Sequence, residues 1–270
     1  MIGWSGSRRT QTSDKRPHGQ SFVEFALFLP VLLIMLAGLI EIGAYANAHM
    51  TFLDASREGA RFGANLDPVL TAHHPFDMRE GADPFPDVRA MSAEQLREIC
   101  GAGGTTNFYY EVACVVFQNI PLGQFDPNPR PDGWPGDDIV ITVIGVQNGV
   151  IVSRLPRYFM ADPRDPQYHY RGANDAASNP TCVALEEPVG DIRTQNCRSW
   201  SLYGNHETRF DNALLLSRLR HTAPATGYVI VEVFHAQPHF TSLFTIGDFI
   251  PDPIHSWVFT VFPVAAAEPR

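Results

Sequence analysis

The sequence predicts an α+β protein, in which a long N-terminal transmembrane helix continues into an extracytoplasmic domain built on an antiparallel sheet of four or five strands. Three observations carry this reading. From Phe25 to Ile40 the chain has no charge, and with Glu41 crossed and Ile42 to Ala46 added the run exceeds twenty residues, enough for about 30 Å of hydrocarbon at about 1.5 Å per residue. Helical spacing then continues through Tyr45, Ala48, Phe52, Ala55, Gly59 and Gly63, with no proline until Pro68. Farther on, β-branched runs at Ile139 to Ile144 and Val150 to Leu155 flank Gln147-Asn148-Gly149. Asn-Gly between two such runs is a strong hairpin signal, because tight hairpin turns need the positive φ that these residues tolerate.

Residues 1–19 are polar and basic and show no hydrophobic period, so they read as a cytoplasmic leader with nothing to bury. The long helix covers 20–65, with its transmembrane segment at about 22–46. Pro30 interrupts the hydrogen-bond ladder there and should kink it, a defect tolerated inside a bilayer when neighbours satisfy the freed carbonyl. Arg8, Arg9, Lys15, Arg16 and His18 precede the span, and no Lys or Arg follows until Arg57. That asymmetry keeps the N-terminus cytoplasmic and sends the rest outward. Ala44, Ala46 and Ala48 loosely supply a signal-peptidase site, but the helical pattern runs straight through them. Above the membrane, Asp54, Arg57, Glu58 and Arg61 mark a wet face of the helix, and Phe52, Ala55, Gly59, Ala60 and Gly63 a packing face.

The outer domain covers 66–264. It begins with a Pro-, His- and Asp-rich connection from Asp67 to Asp87. Ser92-Ala93-Glu94-Gln95 has capping-box form and opens a short helix to about Cys100. Tyr109 to Gln118 reads as a strand, with Val112, Cys114 and Val116 alternating against Ala113, Val115 and Phe117. After the hairpin, a long polar insertion spans 156–207. Asn212 to His221 suits a short helix, and Tyr228 to His235 and Trp257 to Pro263 suit two final strands. Residues 265–270 have nothing to bury and should fray.

Composition narrows the function. With 44% hydrophobic and 18% charged residues the chain is of folding composition, and its net charge of −9 argues against nucleic acid, which demands a concentrated basic surface. The basic residues cluster in the leader, where anionic lipid is the fitting neighbour. All four cysteines fall on the outward side, where thiols pair. Of the three connectivities, Cys100–Cys114 with Cys182–Cys197 closes the shortest loops, each contributing about 3 kcal/mol by the chain-entropy model; four buried thiols are the alternative. No cysteine or histidine spacing suits zinc, and neither His73-His74 nor His235 with His239 makes a metal site, since Pro238 breaks any helix that would align the second pair. No nucleophile elbow, HExxH or phosphate loop is present, so the sequence supports no enzyme, cofactor or small-molecule substrate.

Gly19 followed five positions later by Glu24, then Phe25 and a membrane span, is similar to the processing site of type IV pilin-like proteins. The continuation, with Val23-Glu24-Phe25-Ala26-Leu27, Pro30, Glu41-Ile42-Gly43 and Ala55-Ser56-Arg57-Glu58-Gly59-Ala60-Arg61, resembles the TadE-like family of the Flp (Tad) pilus-assembly system over about residues 19–64. Beyond Asn65 the likeness reduces to a β-rich outer region with Val-Ile-Val-Glu-Val at 229–233. The resemblance implies a minor pilin or pseudopilin, cut by a prepilin peptidase between Gly19 and Gln20, with other pilin-like subunits and the inner-membrane assembly platform as partners. Gly19 lets a protease approach the backbone closely. Glu24 lies one helical turn after the new amine of Gln20, so the two charges can neutralise each other at the membrane edge. Phe25 stands where many processed relatives have Tyr.

The helix and subunit interface implied in this way comprises Glu24, Pro30, Arg57, Glu58, Gly59, Arg61 and Gly63. Each has a plainer alternative. Glu24 can be a solvated interfacial carboxylate, and Glu41 reads as a wet one at the outer edge. Gly59 and Gly63 have the GxxxG spacing of helix dimers, yet can equally admit the outer domain against its own helix. Arg57, Glu58 and Arg61 can pair at i,i+3 or i,i+4 on a solvated face. The leading reading is a structural subunit of a pilus or related secretion apparatus. A membrane-anchored, adhesin-like binding module is the alternative, and an anchored hydrolase the weakest.

Overall fold

In the computed structural model, residues 20–66, 91–101, 108–121, 123–147, 150–155, 170–171, 199–218, 226–239 and 253–264 are described. The expected long helix, α1, runs Gln20–Ala64 without a break at Pro30. Its lower part exposes nearly every large apolar side chain, among them Phe22, Leu27, Phe28, Leu32, Met35, Leu39 and Ile42, and it is long and apolar enough to cross a membrane. Its upper part carries the rest of the molecule. There Phe52, Ala55, Ser56, Gly59, Ala60, Gly63 and Ala64 are buried while Asp54, Arg57 and Arg61 are exposed, which is the division the sequence pattern gives.

Two short helices follow, the second packed on this upper part and the first packed on the second. α2 (Ala93–Gly101) starts as its capping box requires: the Ser92 amide donates to Gln95 Oε1 at 2.9 Å, and the Gln95 amide to Ser92 Oγ at 3.3 Å. The segment expected to be a strand is instead a helix, α3 (Phe108–Gln118). Its buried residues, Tyr109, Val112, Ala113, Val116 and Phe117, recur at helical spacing. A short run of β-branched residues does not discriminate between the two periods, and packing against α1 and a covalent tie to α2 select the helix. That tie is Cys100–Cys114, the first of the expected pairings, with Cα atoms 5.2 Å apart; Cys182 and Cys197 lie outside the described residues. Replacing Cys100 and Cys114 together by alanine should lower stability by about 3 kcal/mol, read as a lower melting temperature with unchanged membrane retention.

The expected antiparallel sheet follows. Four strands carry it: β1 (Asp138–Gln147), β2 (Val150–Leu155), β5 (Thr226–Gln237) and β6 (Ile254–Val264). Two short strands, β3 (Tyr170–Arg171) and β4 (Ser199–Ser201), extend the side of β1, giving the order β3-β4-β1-β5-β6 with β2 also paired to β1. β1 and β2 form the hairpin read from Asn148-Gly149, pairing Gln147 with Val150 and slipping register at Gly145/Val146. The central pair is β1 with β5, from Asp138↔Phe234 to Val146↔Thr226. β6 pairs with β5 over its whole length, from Gly227↔Val264 to Gln237↔Ile254. The short helix read at Asn212 is α4 (Asn212–Arg218).

One sheet face meets the helices, burying Ile139, Ile141, Val143, Val229, Val231, Val233 and Val258 with Phe52, Val112 and Val116. Phe52 is wholly buried there, a contribution of about 2–3 kcal/mol. The other face is covered by the loop before β1 and by residues 206–215, with Trp134, His206, Phe210 and Leu215 against Ile144, Ile230, Phe234 and Trp257. The end of the stretch read as a polar insertion belongs to the core on the helix side: Trp200, Leu202 and Tyr203 are buried there.

Candidate functional site

The residues singled out from sequence fall along α1. Gly19 lies outside the described residues, and Gln20 is the first residue of the helix. Glu24 is exposed one turn above it, and Pro30 is exposed within the apolar segment. Above the membrane-length part, Arg57 pairs with Asp54 at 3.0 Å and Arg61 with Glu58 at 2.7 Å, all four largely exposed. Exposed pairs of this kind contribute little to stability, so this stripe is a surface rather than a fold determinant.

Gly59 and Gly63 are occupied within the chain. A Cβ on Gly59 would fall 2.2 Å from Val116 Cγ2, and one on Gly63 2.9 Å from Val112 Cγ2 and 3.3 Å from Val229 Cγ1. Their spacing admits α3 and β5 against α1, the intramolecular alternative. Ser56 adds a hydroxyl contact to Thr260 of β6 at 2.8 Å.

Glu41 departs from its expected wet environment. Its carboxylate lies 3.0 Å from His239 Nδ1, with the two side chains only 12% and 2% exposed. His235 is committed elsewhere: its Nδ1 is 2.8 Å from Asp137 Oδ2, and its ring lies 4.0 Å from that of Phe52. Asp137 also accepts from the Trp134 indole at 3.2 Å, the Ala236 amide at 2.9 Å and the Asp126 amide at 3.0 Å. The histidines considered as a metal pair are thus divided between two carboxylates. Among the described residues no group of three or more His, Cys, Asp or Glu is gathered as a metal site; His73 and His74 lie outside them.

Like Asp137, two further buried carboxylates escaped the sequence reading. Asp138 accepts from the amides of Tyr203, Asn205 and His206 at 2.8–3.0 Å and from the Ser201 hydroxyl, pinning the turn after β4 to the start of β1. Burial pushes its carboxyl up to about 6 against the pull of those donors. Glu232, in the middle of β5, accepts from the Arg209 amide at 2.9 Å, the Trp257 indole at 3.0 Å and the Thr208 hydroxyl. Burial raises it to about 7, and the nearby Arg154 opposes that rise. Arg154 is itself fully buried and donates to the Phe210 carbonyl at 2.6 Å. An alternating strand pattern hides such a residue, because Glu232 reads as an ordinary outward position; Val-Glu-Val in an otherwise apolar run is the one signal that could have flagged it.

A cleft of about 370 Å³ opens between the start of α2 and the 121–128 loop, lined by Phe117, Phe125, Pro127 and Arg97. Arg97 turns its guanidinium onto the carbonyls of Phe117 and Ile120, closing the end of α3.

No curated protein and no solved structure matches the chain. A family match does exist, and it falls on the part of α1 just described: over residues 19–61 the chain matches the family of TadE-like proteins, the family its leader and helix resemble.

Proposed function

We propose that this is a pilin-like, single-pass protein of the cytoplasmic membrane that takes part in assembling a Flp/Tad-type pilus or a related secretion apparatus. The observation that supports it best is one helix with two uses. Its lower part is exposed and apolar, its upper part is the spine of the outer domain, and the TadE-like match covers both. The role is structural: the helix inserts with its N-terminus cytoplasmic and presents one flank to other pilin-like subunits and to the assembly platform, and energy comes from a separate ATPase. Processing by a prepilin peptidase between Gly19 and Gln20 would leave Glu24 one turn from the new amine, where their charges offset each other.

The flank proposed for contact is the stripe of Glu24, Pro30, Arg57, Glu58 and Arg61. Reversing Arg57 and Arg61 to glutamate should change head stability by no more than about 0.5 kcal/mol, as expected of exposed positions, while reducing pilus number and subunit cross-linking in cells. Unaltered assembly with both charges reversed would reduce the stripe to a solvated face. Mass spectrometry of the membrane-extracted chain tests processing: an N-terminus at Gln20 supports it, and intact residues 1–19 beside an active peptidase make the chain an uncleaved anchor. Normal pili in a strain lacking the protein would sink the proposal.

A further inference from the structure

We infer that the outer domain sits directly on the phospholipid surface, without a stalk, and that the Glu41–His239 contact is its seat. This rests on the helix spanning a membrane but not on any role in pilus assembly. The geometry comes from three contacts that step down α1. Val229, near the start of β5, meets Gly63; His235 stacks on Phe52 at 4.0 Å; His239, just past the end of β5, reaches Glu41 at 3.0 Å. β5 therefore descends along the helix towards the membrane and β6 climbs back beside it, with Thr260 at the height of Ser56. The end of the sheet where β5 stops and β6 begins lies at the level of Glu41.

Below that level α1 offers the apolar residues 22–40 with Glu24 near the start. Nineteen helical residues span about 28 Å, close to the hydrocarbon thickness of about 30 Å. Glu41 is the first charge above the run, and its contact with His239 puts the end of the hydrocarbon there rather than at the residue 46 expected from sequence. Drawing the helix outward would wet the apolar side chains; pushing it inward would carry Glu41 and the lower edge of the sheet into lipid, where charged and unpaired polar groups are costly. The position is fixed from both sides. Pro238, exposed beside His239, then faces the headgroups. Because Glu41 is tied to His239 rather than to water, the sheet also resists swivelling about the helix, so the charged stripe keeps one bearing relative to the membrane.

The test uses the full chain in phosphatidylcholine nanodiscs, with the photoreactive amino acid benzoylphenylalanine at position 238 or, as a distal control, at exposed position 65. Phospholipid adducts at 238 and none at 65 are expected. His239→Ala and Glu41→Ala should cut the yield at 238 severalfold while leaving the melting temperature of the outer domain close to that of the parent. Glu41→Gln, which keeps an acceptor for the histidine, should preserve the yield. Absence of adducts at 238 from protein that resists carbonate extraction overturns the seat while leaving the anchor standing, and loss of the protein on extraction overturns the anchor itself. Undiminished adducts in both alanine variants would remove the Glu41–His239 contact from the explanation.

Discussion

Gly59→Leu is expected to detach α3 from α1 and to leave the outer domain unable to fold on its spine. Even the first carbon of a side chain at 59 would overlap Val116 Cγ2, at 2.2 Å, and would press towards the Val112 carbonyl at 3.5 Å. Val116 is β-branched and fully buried, so it cannot swing aside as a long flexible chain would. Overpacking of a tight core costs about 1–3 kcal/mol and occasionally more; alanine at 59 belongs at the upper end of that range, and leucine beyond it. The measurement is thermal denaturation of the detergent-solubilised chain, with proteolysis of the outer domain as a second readout. Val116→Ala combined with Gly59→Ala should recover much of the loss, because it removes the atom that collides. Full stability of Gly59→Leu would mean that α3 does not lie where this account needs it.

The second large effect is electrostatic. Arg154→Met keeps the aliphatic stem of the side chain but removes a buried positive charge near Glu232 and Asp211 and the donor to the Phe210 carbonyl, a loss on the order of 3 kcal/mol. The cost depends on pH in a defined direction. Glu232 has its carboxyl raised to about 7 in the folded state, against an ordinary value of 4.5. Between those values the folded chain binds more protons than the unfolded one, so the associated stability is complete below about pH 4.5 and fades as pH rises towards 7. Removing Arg154 takes away an attraction for the ionised form and pushes the carboxyl higher still. The variant should therefore lose more stability at pH 7.5 than at pH 5. Asp138, also raised by burial, drifts the same way in parent and variant and largely cancels from the difference. A deficit independent of pH would assign the effect to lost packing around Arg154 and the lost bond to the Phe210 carbonyl rather than to Glu232.

The parts of this fold that were legible in the sequence are those set by local chemistry. A charge-free run, a capping box, an Asn-Gly turn and alternating strands each carry their own signal within a few residues, and α1, α2, the β1–β2 hairpin, β5 and β6 appear where those signals put them. What was illegible depends on distant partners. The run from Phe108 to Gln118 has strand-like residues, yet its helix is chosen by glycines some fifty positions earlier and by a bridge to Cys100. Glu41 looked like a surface carboxylate because its partner comes 198 residues later. Glu232 looked like the polar side of a strand because its donors arrive from the Thr208–Arg209 turn and from the neighbouring strand. The candidate site divides the same way: the wet and packed faces of α1 followed from periodicity, whereas the occupant of the Gly59–Gly63 groove required the chain to be folded.

The wall of the sheet that lies on α1 is made by β5 and β6, far along the chain from the helix they cover. Gly59, Ala60 and Gly63 leave the ribosome early, but Val229, Val231, Val233 and Val258 follow them by well over a hundred residues. On the proposed topology α3 can cover Gly59 early in export, but the flank of α1 that β5 and β6 occupy stays bare until those strands have crossed. On that topology a product shortened before β5 would keep this flank of α1 open to proteolysis.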